Sequence, residues 1–203
     1  MNVAPHTARA SELDRLRELT NIGAGHAATA LARLIGQTIW MRVPNAEALG
    51  SGVTPGSRGG WAQWPTGVFV DIRGGVGGVA GLLLSASSRD LLVDRLLRRR
   101  DAEPSDIEVE SALCEVGNIV LSSLVSAIAD TLGVIVMPSA PMLASSDADS
   151  LFESVVGERS AGLAGLCIQS ELIDDAGALR ALLIWAPDRH GAASPAEATA
   201  PPV

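Results

Sequence analysis

Two stretches of this chain repeat one another at a fixed offset, and that repeat limits the possible folds more than any other feature. The run D-R-L-R-E-L-T-N-I-G from Asp14 lines up with S-A-L-C-E-V-G-N-I-V from Ser111. Glu18 then pairs with Glu115, Asn21 with Asn118, Ile22 with Ile119, Gly36 with Gly133 and Pro44 with Pro141, every pair 97 positions apart. Matches held in register this way read as a tandem duplication, whose copies bury their apolar faces against each other. A second echo, V-A-G-L-L-L from Val79 and L-A-G-L-C-I from Leu163, lies at an offset of 84. It predicts that the second copy has lost about a dozen residues of loop.

Each copy opens on a helix. Ser11 with Asp14 and Ser105 with Glu108 read as N-caps with acidic N3 residues, the second a full capping box. The first helix is predicted over 11–35, stopping at Gly36, and the second from 105 to a stop at Gly133. Apolar, β-branched runs follow at 38–43 and 134–137, and further strands are predicted at 68–72, 79–85, 151–156, 163–169 and 178–185. The run R-G-G-V-G-G joins two strands, so it reads as a hairpin turn; a dinucleotide fingerprint must lead into a helix. Between the copies, 88–100 reads as a short helix whose acidic start and triple-Arg end (Arg98, Arg99, Arg100) suit the helix dipole. Residues 1–10 and 187–203 read as flexible tails, the second rich in Ala and Pro. The expectation is one α+β domain over 11–186, with repeats of about 11–100 and 105–186. Its halves are related by a pseudo-twofold, with long helices packed on a shared β-sheet. Trp61 and Trp64, in a Gly/Pro-rich loop of the first copy only, read as a lid over the edge of the core.

At 100° per residue, Leu16, Leu19, Gly23, Ala27, Ala30 and Leu34 form one buried stripe, and Asp14, Glu18, Asn21 and Gly25 fall opposite. The second helix repeats this, with Leu113, Val116, Val120, Leu124 and Ala127 inward and Ser111, Glu115, Asn118 and Ser122 outward. Gly25, Ala28 and Ser122 are small enough to let another macromolecule approach. Asn is a poor helix-interior residue, so its recurrence with Glu three positions before it marks a functional pair.

Composition narrows the chemistry. Lys and Tyr are absent, and all 15 basic residues are Arg. A Walker-type lysine, a Schiff base and a catalytic tyrosine are therefore excluded. Three His and two Cys lie far apart, which argues against zinc, and Glu-x-x-Asn lacks the His of a di-metal carboxylate site. No metal is assigned to this chain, and His26, present in one copy only, reads as an ordinary surface or boundary residue. Cys114 and Cys167 read as buried thiols in a reducing cytosol. The net charge of −8 argues against nucleic acid. The apolar run 118–138 changes period after Gly133, which argues against membrane insertion, and a cytoplasmic protein is expected. A carboxylate and an amide are weak nucleophiles. An amide can nevertheless orient an attacking water, which suffices where positioning and electrostatics carry the reaction, as in phosphoryl transfer.

These residues resemble the CheC/CheX/FliY family of chemotaxis phosphatases, whose signature is Asp or Ser, three residues, Glu, two residues, Asn, 22 residues and Pro. The first copy matches at Asp14, Glu18, Asn21 and Pro44, the second at Ser111, Glu115, Asn118 and Pro141. The likeness spans about 175 of 203 residues. Two complete motifs fit the CheC branch better than CheX, whose members typically carry one per subunit. The resemblance implies hydrolysis of the phosphoaspartate on a phosphorylated CheY-type response regulator. Asn21 and Asn118 would orient the attacking water, and Glu18 and Glu115 would dock on the receiver's lysine. Asp14 and Ser111 would support them, and Pro44 and Pro141 would end the first strand of each half. No cofactor is assigned to this chain, the Mg²⁺ being expected on the receiver. CheD is a partner implied by the family alone. The rival expectation is a non-catalytic adaptor like the flagellar switch proteins FliM and FliY. FliY-type proteins carry a further C-terminal domain, and none is expected in the 17 residues that follow Ala186.

Overall fold

The computed structural model describes residues 4–43, 45–48, 63–97, 103–145 and 166–188. In chain order these form α1 (Ala4–Ile35), β1 (Ile39–Met41), β2 (Asn45–Ala48), β3 (Thr66–Gly74), β4 (Gly78–Leu84) and α2 (Ala86–Leu97). The second half supplies α3 (Asp106–Leu132), β5 (Val136–Pro138), β6 (Met142–Ser145), β7 (Leu166–Asp174) and β8 (Arg180–Pro187). The strands make one antiparallel sheet in the order β1-β7-β8-β4-β3-β5, with β2 also on β7 and β6 also on β3.

That order reads the same from either edge once β1 is matched with β5, β3 with β7 and β4 with β8. The registers agree. Met41 faces Leu172 as Pro138 faces Ile72, and Asn45 faces Gln169 as Met142 faces Phe69. Even the corner between the two short strands recurs: Arg42 N donates to Glu171 O at 2.9 Å, and Ser139 N to Asp71 O at 2.7 Å. The pseudo-twofold is therefore built into the hydrogen bonding. It overturns the reading of the second echo, because β4 corresponds to β8 and not to β7. β4 is buried along its whole length, and Cys167 and Ile168 of the echo in β7 are buried too; buried strand segments draw on the same few apolar residues. The second copy has thus gained a few residues by β8; it has not lost a dozen.

Helix ends follow local chemistry. Ser105 Oγ accepts from Glu108 N, and Ser105 N donates back to Glu108 Oε2 at 3.0 Å, completing the predicted capping box. Both helices stop at glycines in the left-handed region, Gly36 at φ 68° and Gly133 at φ 66°, where a side chain would be strained. Two starts differ from expectation. α1 begins at Ala4, so 4–10 belong to the helix and Ser11 is not its cap; an Ala-rich segment extends a helix without one. α2 begins at Ala86 with Ser88 N donating to Ser85 Oγ at 3.2 Å, which leaves Asp90 beyond the first turn. The polar strand β2 and the short strand β6 were not predicted.

The main core fills the space between the sheet and the helices, with Leu16, Leu31, Leu121 and Leu124 against Ile72, Leu82 and Trp185. The other face of the sheet buries Phe69, Leu83, Cys167 and Ile184 with Trp64, over whose ring Arg180 sits at 5.8 Å. α3 is long and apolar enough to cross a membrane by length and composition, but ten of its residues are buried against the rest of the chain. The strand expected at 151–156, Trp61, Pro44, Arg98 to Arg100 and the C-terminal stretch after 188 lie outside the described residues.

Candidate functional site

α1 and α3 pack against each other on the sheet and hold the duplicated residues on their outward faces. Leu16, Leu19, Gly23 and Ala27 are buried, and Asp14, Glu18 and Asn21 on the same helix are exposed. On α3, Leu113, Val116, Val120, Leu124 and Ala127 are buried, Ser111 and Glu115 are exposed, and Asn118 is half-buried. In each helix the carboxylate and the amide stand three residues apart, which makes them surface neighbours. Of the small residues expected beside them, Gly25 and Ser122 are half-buried at this surface, but Ala28 is buried. Pro141 is half-buried between β5 and β6, so it introduces the second short strand and does not end the first.

The two copies differ in their surroundings. Arg17 pairs with Asp14 at 3.5 Å on the exposed face of α1, a contact worth at most about 1 kcal/mol. Its counterpart on α3 is Cys114, which is only half-buried, whereas Cys167 is fully buried as expected. Burial, and then the negative charge of Glu110, push the Cys114 thiol above its ordinary pKa, so it stays protonated and unreactive at neutral pH. Ser122 Oγ donates to Asn118 Oδ1 at 3.4 Å. Gly25 stands at the matching position of α1 and offers no hydroxyl. The Asn-x-x-x-Ser spacing signals this contact, but sequence reasoning used Ser122 only for its size.

A groove of about 580 Å³ runs between the helices, lined by His26, Thr29, Arg33, Ser122, Ser126 and Asp130 among others. A second, of about 630 Å³, lies between α1 and β1 beside Gly25, Arg33 and Met41. Neither is lined by the Glu–Asn pairs, which lie on the outward helix faces. Exposed side chains on an open helix face do not by themselves enclose a small substrate. They can insert an amide and a carboxylate into a cleft on another protein. Among the described residues no cluster of three or more His, Cys, Asp or Glu could hold a metal ion.

The repeated blocks also match a known family pattern. The CheC-like family pattern matches residues 12–47 and 108–144, one block on each repeat. The chain resembles that family at both repeats. It is 31% identical over 134 residues to the CheY-P phosphatase CheC of Bacillus subtilis (strain 168), and the match covers 64% of this chain and 64% of that relative's length. Among solved structures, the CheC-like fold recurs in Thermotoga maritima FliY, with a TM-score of 0.62 at 18% identity over 92% of both chains. It recurs in the CheX–CheY–BeF3–Mg²⁺ complex from Borrelia burgdorferi, with a TM-score of 0.57 at 16% identity over 83% of this chain and 97% of that one.

Proposed function

We propose that this chain is a cytoplasmic protein phosphatase that hydrolyses the phosphoaspartate of a CheY-type response regulator, with one site on α1 and one on α3. The observation that carries the proposal is the pair of outward Glu-x-x-Asn faces in a relative of a CheY-P phosphatase. Asn21 and Asn118 enter the receiver's site, and each orients a water toward phosphorus. The water oxygen bonds to phosphorus, the bond to the aspartate oxygen breaks, the receiver's carboxylate is regenerated in place, and inorganic phosphate leaves carrying the water's protons. Because the acyl phosphate is already activated, positioning supplies most of the acceleration. The Mg²⁺ is assigned to the receiver, where the phosphoryl oxygens it ordinarily binds are found. Glu18 and Glu115 form charge-assisted contacts with a receiver cation. A CheD-like regulator is a further proposed partner.

The test is phosphate release from a phosphorylated receiver with and without this protein, where acceleration is expected. A likeness in fold to FliY, at the TM-score given above, supports the second reading, a non-catalytic adaptor. Binding to the phosphorylated receiver with no change in its decay would favour that reading. Glu18→Gln with Glu115→Gln is expected to raise the KM for the receiver about tenfold with little change in kcat, since the lost charge acts on docking. The difference from wild type should shrink at high salt.

A further inference from the structure

We infer that the two sites are unequal and that Ser122 is a positioning residue for Asn118, an inference that rests on the phosphatase reading. Helical Ser and Thr ordinarily donate to the carbonyl four residues back. Thr20, Thr29, Ser123 and Thr131 all do so here, to Leu16, Gly25, Ile119 and Ala127, at 2.7–2.9 Å. Ser122 departs from this pattern. Its hydroxyl reaches past the backbone to Asn118 Oδ1, at 3.4 Å. That separation is long for an O–H···O bond, so the contact is a weak one.

Its effect is to select one amide orientation. The carbonyl oxygen turns toward Ser122 and keeps one lone pair available, while the NH₂ group points away along the helix face. Asn118 is half-buried and meets the Ser122 hydroxyl, whereas Asn21 is exposed and has glycine at the matching position. The difference traces to one pair of aligned residues, Gly25 and Ser122. A Cβ added at Gly25 would meet nothing within 4 Å, so packing does not require glycine there. The second site therefore starts closer to the geometry of the reaction, and the first spends more of its time in unproductive rotamers.

Each site is isolated by removing the other amide. With Asn21→Ala as the background, Ser122→Ala is expected to lower kcat about two- to fivefold with KM unchanged, the size of a weak orienting hydrogen bond. Ser122→Thr, which keeps the hydroxyl, restores the rate. Ser123→Ala, one position along and bonded to backbone, leaves it unchanged. With Asn118→Ala as the background, Gly25→Ser raises kcat by a similar factor. Alanine at 122 favours the helix, so equal melting temperatures separate the effect from unfolding. The inference is overturned if Ser122→Ala leaves kcat unchanged in the Asn21→Ala protein, or if Ser122→Thr fails to rescue while the fold is intact. Failure of the phosphatase reading is distinct: the Asn21→Ala protein with Ser122 intact would then release no more phosphate than the receiver alone.

Discussion

Replacing both amides, Asn21→Ala with Asn118→Ala, is expected to abolish stimulated phosphate release, a fall of about 100-fold or more. That is the scale measured when a single group contacting the reacting atoms is removed from a preorganised site. Each single variant should keep the rate of its surviving site, because α1 and α3 carry complete Glu–Asn pairs independently. Loss of fold cannot explain the result. Asn21 is exposed and Asn118 half-buried, and Asn→Ala within a helix gains about 0.5 kcal/mol in propensity. The double variant should melt at or above the wild-type temperature while failing to accelerate hydrolysis. Asn→Asp at both positions keeps the shape and should fail as well, since a carboxylate repels the phosphoryl group it must approach. Retention of full stimulation by the double alanine variant would remove the amides from the mechanism. The rate would then have to come from other residues on these helices.

Much of this architecture is legible in the sequence where local chemistry decides it. Gly36 and Gly133 end their helices because the left-handed conformation suits glycine, and the Ser105–Glu108 box is readable from spacing alone. The outward faces follow from helical periodicity, which places Glu18 and Glu115 in solvent as expected. What escapes is set by partners distant in sequence. The pairing of β4 with β8 as equivalents depends on register across the sheet, and the echo between 79–84 and 163–168 pointed to the wrong strand. The strands β2 and β6 are four residues each and continue β1 and β5 around a corner, so alternation is too short to read. The candidate site shows the same division. Gly25 and Ser122 are visibly different letters, but the direction of a hydroxyl is not written in the periodicity.

The close fit of α3 onto the sheet makes a second large effect computable from one residue. Gly117 precedes Asn118 on the buried side of α3, and a Cβ placed there would lie 2.2 Å from Val68 Cγ1 and 2.6 Å from its Cβ. Val68 is fully buried in β3, and its Cβ is fixed to the backbone, so it cannot swing aside. In an open helix Gly→Ala stabilises by about 1 kcal/mol. At Gly117 the sign should reverse, because α3 or β3 must shift to relieve the overlap, and overpacking costs about 1–3 kcal/mol. Gly117→Ala is expected to lower the melting temperature by about 2–8 °C for a chain of this size. Gly25→Ala, where a Cβ meets nothing within 4 Å, should raise it slightly. The pair separates steric contact from intrinsic propensity, since the chemical change is identical. A Gly117→Ala, Val68→Ala double variant should be less destabilised than the two single effects summed, because they share one contact. If Gly117→Ala proves as stabilising as Gly25→Ala, α3 does not sit this close to β3. Displacing α3 also moves Glu115 and Asn118, so the same substitution should depress the second site while leaving the first, on α1, near its own rate.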